Sequence, residues 1–346
     1  MQRRKFLITT FGAIPALSLL PSAWAMASNQ KPFVIKTRES RFGVPTPFRG
    51  VIPNDLKISS KDTDGNYSFF DYVGIDRVPG PNLHVHLWQD ELFHAVEGEF
   101  VFQVGDQKIK VGNGDTVYGP RNIQHTWTQL SATGRLVYFV SPAHKMEEFF
   151  VQMSQRKGPP PKEESKKIDE EFGILNRGDS LQPDGQHEYS KSLAKGYVVR
   201  AGEGRFNEHL INKAFSPVNL LLSKKDSDGL MSIFDYEGSS KGGPPLHVHY
   251  HQDEVFFITE GEFLFQAGEE RFKLTVGDTI FLPRKVPHTW TQLSDRGKML
   301  FFFQPAGKME EFFKLYRAQA SQPSPEEGAR QFSDHEMTVL GPPITP

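Results

Sequence analysis

The chain has 346 residues, a length that allows two or three domains, and its formal charge of -2 arises from 40 basic and 42 acidic residues. The two signs are intermixed, so charge gives no ground for a nucleic-acid or anionic-membrane partner. With no cysteine and 29 phenylalanines, neither disulfides nor thiolates hold the fold or bind a metal, and stability rests on apolar packing and sheet hydrogen bonds.

In chain order, the first segment reads as a targeting signal. Arg3 and Arg4 precede an apolar stretch from Phe6 to Leu20, followed by small-residue cleavage options at Ala23-Trp24-Ala25 and Ala25-Met26-Ala27. That stretch is shorter than the roughly 20 residues a membrane span needs, and Pro15 interrupts it. Residues 1–27 are therefore expected to be a twin-arginine signal peptide, and the mature protein a periplasmic one with no membrane association after cleavage.

The rest of the chain is a repeat. "FVIKTRESRF" at Phe33 aligns with "YVVRAGEGRF" at Tyr197, and "DTDGNYSFFDY" at Asp62 with "DSDGLMSIFDY" at Asp226, both 164 positions apart. The offset becomes 163 across a Gly/Pro-rich turn, where a surface connection tolerates an indel, and holds through "KMEEFF" at Lys145 and Lys308. Within each half, short apolar runs alternate with Glu-Gly, Gly-Asp and Gly-Asn-Gly-Asp breaks, the pattern of antiparallel strands in a sandwich or barrel. Helical spacing appears only after each barrel, in "PAHKMEEFFVQMSQRKG" and "PAGKMEEFFKLYRAQAS". The expected domains are 28–157 and 197–346, with a charged, initially Pro-rich connection at 158–196. Even so, "DEEFGILN" near Glu171 resembles "DHEMTVLG" near Glu336, which suggests that each half closes with a short helix and a final strand.

The repeat carries one set of polar residues twice. His84, His86, Glu91 and His125 recur as His247, His249, Glu254 and His288. Histidines two apart on a strand share a face and can bind one ion together. Three imidazoles and a carboxylate make a mixed N/O shell suited to Mn, Fe, Co, Ni, Cu or Zn rather than Ca or Mg. One divalent transition metal per half is expected.

These residues resemble the cupin superfamily. His84, His86, Glu91 and Gly98 follow its first motif, with Gly80 a little close; Gly114, Pro120 and His125 follow its second. His247, His249, Glu254, Gly261, Gly277, Pro283 and His288 do so in the other half. Where the motif has a glycine the chain has Asn122 or Lys285, and Lys285 is the less ready of the two to take a positive φ. The resemblance implies an all-β fold of two tandem jelly-roll cupin barrels with short flanking helices. The "EGEFVFQVGDQ" and "EGEFLFQAGEE" strands, the "KMEEFF" helix and the closing "VLGPP" look like the quercetin 2,3-dioxygenase group. That likeness implies a metal-dependent dioxygenase cleaving a flavonol or related aromatic enol with O2, with Glu91 and Glu254 accepting the substrate's proton. Manganese or iron is favoured, on the expectation that a protein exported folded takes its metal in the cytoplasm, away from stronger competitors. The alternatives are an oxalate decarboxylase or oxidase type of bicupin and a non-catalytic metal- or ligand-binding bicupin.

Around the ligands, Trp127 and Trp290 fall two residues past His125 and His288, inward by strand alternation, as an aromatic wall or as core. Gln129 and Gln292 continue that register as candidate ligand contacts, and His251 lies at the rim as a pocket residue or a solvated turn. Arg121 and Arg284 are expected to be solvated turn residues rather than anion clamps. His94, out of phase with the inward positions, is expected at a sheet or domain interface. The expected partners are a small aromatic substrate and O2, with homodimerisation left open.

Overall fold

A computed structural model describes residues 30–156, 160–207, 217–239, 241–319 and 321–345; the twin-arginine segment lies outside them. The first half runs β1 (Phe33–Ile35), β2 (Asn54–Ile58), β3 (Ser68–Gly74), β4 (Leu83–His86), β5 (Asp90–Glu97), β6 (Phe100–Val104) and β7 (Gln107–Val111). It continues with β8 (Thr116–Gly119), β9 (His125–Gln129), β10 (Gly134–Ser141), α1 (Met146–Ser154), α2 (Lys162–Phe172) and β11 (Ile174–Gly178). The second half repeats this order: β12 (Tyr197–Val199), β13 (Val218–Leu222), β14 (Ser232–Gly238), β15 (Leu246–His249), β16 (Asp253–Glu260) and β17 (Phe263–Ala267). Then follow β18 (Glu270–Leu274), β19 (Thr279–Leu282), β20 (His288–Gln292), β21 (Gly297–Gln304), α3 (Met309–Ala318), α4 (Pro325–Asp334) and β22 (Met337–Gly341).

Each barrel is a six-stranded sheet facing a five-stranded one. The first pairs β12-β8-β5-β10-β3-β2 with β11-β4-β9-β6-β7, and the second pairs β1-β19-β16-β21-β14-β13 with β18-β17-β20-β15-β22. Strand alternation makes two cores from the same strands. On β5, Phe93 and Ala95 join Phe70, Phe100 and Trp127 inside the first barrel, while Leu92 and Val96 face the other way. Those outward residues build a third core between the two six-stranded sheets, where Phe69 meets Phe257 at 5.7 Å and Phe139 meets Phe302 at 4.7 Å. Aromatic edge-to-face packing of this kind joins the barrels.

The strand that begins each half completes the sheet of the other. β1 pairs with β19, Phe33 opposite Phe281, and β12 pairs with β8, Tyr197 opposite Tyr118; both ring pairs stack, at 5.1 and 4.9 Å. Each visiting strand is followed by a basic residue tied to an aspartate of the host barrel: Lys36 to Asp278 at 2.9 Å and Arg200 to Asp115 at 2.7 Å. The boundaries read from the repeat, 28–157 and 197–346, thus differ from those drawn by strand pairing. The stretch 158–196 also contains more than a connection, because α2 lies in it and β11 pairs with β4 of the first barrel. α2 ends at Gly173, whose φ of 67° is the left-handed conformation glycine adopts without a Cβ penalty.

Candidate metal centres

Three strands from two sheets bring the four residues of each set together. β4 turns His84 and His86 inward with Val85 on the opposite face, and His84 stands directly across the ladder from His125 of β9. Glu91 enters from β5 in the facing sheet, where it is the first inward residue. In the second barrel His247 pairs with His288 in the same way, and Glu254 enters from β16.

The resulting distances are nearly the same twice over. Nε2 of His125 lies 2.8 Å from Glu91 Oε2 and Nε2 of His86 lies 3.5 Å from it; the distances from His288 and His249 to Glu254 Oε2 are also 2.8 and 3.5 Å. Within each set the ligand atoms all fall within 4.8 Å of one another. Four of the imidazoles are aimed by backbone. Nδ1 of His84, His125, His247 and His288 lies 2.7 to 3.0 Å from the carbonyls of Asn82, Ile123, Pro245 and Val286. Donation from Nδ1–H to a carbonyl leaves the Nε2 lone pair pointing inward, the tautomer that binds metal.

A divalent metal fits these residues on structural grounds. In the first site the Nε2 atoms of His84 and His86 face each other at 3.1 Å, and in the second His249 Nε2 is buried without a hydrogen-bond partner. A cation would satisfy both arrangements. Protonation states of five of the eight residues point the same way. Burial, then the neighbouring imidazoles, hold His84 and His247 well below the ordinary histidine pKa, and burial lowers His249. Burial alone would raise the glutamates, but the charges and hydrogen bonds of the adjacent histidines outweigh it together. Glu91 is held far below the usual carboxylate range and Glu254 is lowered to about 2. In His125, burial is opposed by the Glu91 hydrogen bond and charge, and the net direction is upward. Ionised carboxylates beside neutral imidazoles are the forms a metal requires.

The supporting loops also repeat. Asn122 and Lys285 both adopt positive φ, 64° and 69°, and donate backbone N–H to the carbonyls of His86 and His249 at 2.8 and 2.6 Å. The lysine therefore leaves the loop geometry unchanged, because that hydrogen bond holds its backbone. At Gly80 an added Cβ would sit 2.0 Å from the carbonyl oxygen of Trp127, and at Gly243 it would sit 1.8 Å from that of Trp290, so only glycine lets the strands close there.

The residues expected around the ligands divide. Trp127 packs on Tyr72 at 4.9 Å and Trp290 on Tyr236 at 5.1 Å, within the barrel cores. Gln129 and Gln292 are fully buried and committed to the protein, accepting from the hydroxyls of Tyr72 and Tyr236 and donating to the carbonyls of Ser131 and Ser294. Four residues along the strand from the histidine ligand, they stand roughly 13 Å beyond it. His251 is exposed in the bend between β15 and β16. Arg121 and Arg284 are partly exposed and paired with Asp90 and Asp253. His94 is buried on the outward face of β5, with Nδ1 2.9 Å from Thr116 Oγ1.

Sequence reasoning passed over Gln89 and Gln252. Both are buried beside the ligands; the side chain of Gln252 lies against His249 and donates to Glu336 Oε2 at 2.7 Å, while both amide atoms of Gln89 lack a partner, as does Nδ1 of His86. The signal was present in the shared "QDE" of "HVHLWQDE" and "HVHYHQDE".

A family model described as Cupin domain matches residues 78–142 and again 234–303, one match in each barrel. An uncharacterized protein of Methanocaldococcus jannaschii is 44% identical over 43 residues, 12% of this chain and 34% of that protein. A quercetin 2,3-dioxygenase of Bacillus subtilis is 26% identical over 106 residues, 31% of this chain and 30% of that protein. The chain thus spans about a third of the length of the curated relatives it matches. Among solved structures, salicylate 1,2-dioxygenase of Pseudoaminobacter salicylatoxidans is similar with a TM-score of 0.55 at 12% identity, over 83% of this chain and 84% of that one. Oxalate decarboxylase of Bacillus subtilis is similar with a TM-score of 0.52 at 12% identity, over 83% and 78%. At such identities the likeness to these structures is one of fold.

Proposed function

We propose that this chain, a bicupin with a three-histidine, one-glutamate metal site in each cupin domain, is a metal-dependent dioxygenase that opens a flavonol or related aromatic enol with O2. The observation that carries the reading is the environment of Glu91: a buried carboxylate whose Oε2 faces both His86 and His125. That leaves Oε1 to take the proton of an acidic hydroxyl delivered to the site. When bound, a divalent transition metal would supply Lewis-acid and redox chemistry to the substrate and dioxygen. The chain's residues do the rest. Backbone carbonyls orient His84 and His125, Glu91 removes the proton, and the aromatic interior excludes water.

The cations near the sites support an aromatic enol over a small dianion. Oxalate would call for a positive side chain facing the metal, whereas Arg121 and Arg284 are each held in a bidentate pair by an aspartate. The partial match to a quercetin 2,3-dioxygenase supports the same choice. We further propose periplasmic export through residues 1–27, with the metal acquired beforehand.

Quercetin offered to the metal-loaded protein should consume O2, release carbon monoxide and lose its long-wavelength absorbance. Glu91→Gln should keep part of the metal, because an amide oxygen still ligates, yet lose activity by about 100-fold or more, because it takes no proton. Binding of quercetin without oxygen uptake would indicate a binding module. Formate and carbon dioxide from oxalate would indicate the decarboxylase alternative.

A further inference from the structure

The two sites share ligands and backbone, so a functional difference between them has to come from what packs on them. On the second site, the ring of Phe332 from α4 lies edge-on to His247 at 5.3 Å, and Phe303 lies 5.3 Å from His249. Phe332 is itself buried and braced by Phe312 at 5.0 Å.

The first barrel has the same scaffold with no ring at those two positions, although α2 buries Phe172 on Phe149 at 5.4 Å. The α2–β11 unit docks as α4–β22 does, since Leu87 N–H donates to the Gly173 carbonyl as Tyr250 N–H donates to that of Glu336, 163 positions on. The same offset puts Asp169 at the position of Phe332 and Val140 at that of Phe303. Asp169 is half-buried and accepts from the backbone N–H of Asn176, the residue opposite His84 in the ladder. His84 is correspondingly half-buried, and its ring contacts among the described residues are with His86 and His125, whereas His247 is 6% exposed.

We propose that the His84–His86–Glu91–His125 site is the one substrate reaches, and that the rings of Phe332 and Phe303 shut the His247–His249–Glu254–His288 site. The first barrel then performs the chemistry and the second holds its metal as a structural element. This rests on the metal-binding reading above and adds which site is open.

Access is read from metal exchange, without reference to turnover. Full-length protein is loaded with cobalt(II) and challenged with excess EDTA, and the loss of cobalt absorbance is followed. His247→Ala, which keeps the first site, should release cobalt roughly tenfold or more faster than His84→Ala, which keeps the second; that scale is set by displacing one buried aromatic ring. Adding Phe332→Ala to His84→Ala should bring its release close to the fast rate, and adding Asp169→Phe to His247→Ala should slow it. Phe332→Leu, which preserves most of the volume, should stay slow; a fast Phe332→Ala beside a slow Phe332→Leu of equal thermal stability supports a plug. Equal release from the two single-site proteins, slower release from the first site, or no response to Phe332→Ala would overturn the proposal. Failure to take up cobalt at either site would instead refute the metal-binding reading on which it rests.

Discussion

His94 shows how one residue type takes opposite roles within a few positions. His86 and Glu91 face inward, while His94 lies on the outward face of β5, where burial lowers its pKa to about 4 despite the opposing charge of Asp115. The free value is 6.5, so the folded state holds His94 neutral. Its contribution to stability is complete above pH 6.5 and is lost as pH falls towards 4, by about 3 kcal/mol at the limit. His94→Phe copies the second half, where Phe257 occupies this place and the matching Thr279 hydroxyl is buried without a partner. Urea unfolding at pH 7 and pH 4.5 should show a smaller acid-induced loss in His94→Phe than in the parent; parallel losses would exclude His94 as the cause. Gln89 and Gln252 belong to the same scale. A side chain that orients a ligating imidazole typically contributes 10- to 100-fold in metal affinity, and Gln252→Leu should weaken cobalt binding at the second site by about that factor in a competition titration.

Among the elements, the exchanged strands β1 and β12 tie each half to the sheet of the other. Asp278 accepts from Lys36 Nζ, Thr37 N–H and Thr275 N–H, all at 2.9 Å, and so ties the visiting strand to its host. Asp278→Ala should destabilise the protein by about 2 kcal/mol, by removing three hydrogen bonds to a buried carboxylate, and should expose the segment around β1 to protease first. An unchanged unfolding midpoint and cleavage pattern would show that the strand is held by Phe33 and its ladder alone. The exchange itself was not legible in the sequence. "FVIKTRESRF" and "YVVRAGEGRF" reveal equivalent strands, but which sheet edge each joins is a non-local matter that local pattern does not encode. Helix and strand types after each barrel were readable from spacing and from the likeness of "DEEFGILN" to "DHEMTVLG". The difference between Asp169 and Phe332 sits inside that likeness and was hidden by it.

For the molecule as a whole, the repeat made two barrels and eight converging ligands readable, because a constant offset conveys the same strand register twice. Distances within the sites, the third core between the barrels and the commitment of Gln129 and Gln292 to tyrosine hydroxyls depend on packing between strands far apart in the chain, and needed the structure. The functional account rests on both sites holding metal, and metal content per chain is the measurement that tests this most directly. Elemental analysis of protein purified from its native compartment should approach two transition-metal ions per chain, and fall to about one in either His84→Ala or His247→Ala, because three remaining ligands leave an incomplete shell. Protein that stays metal-free after growth in metal-replete medium, or keeps two ions in both variants, would contradict the account.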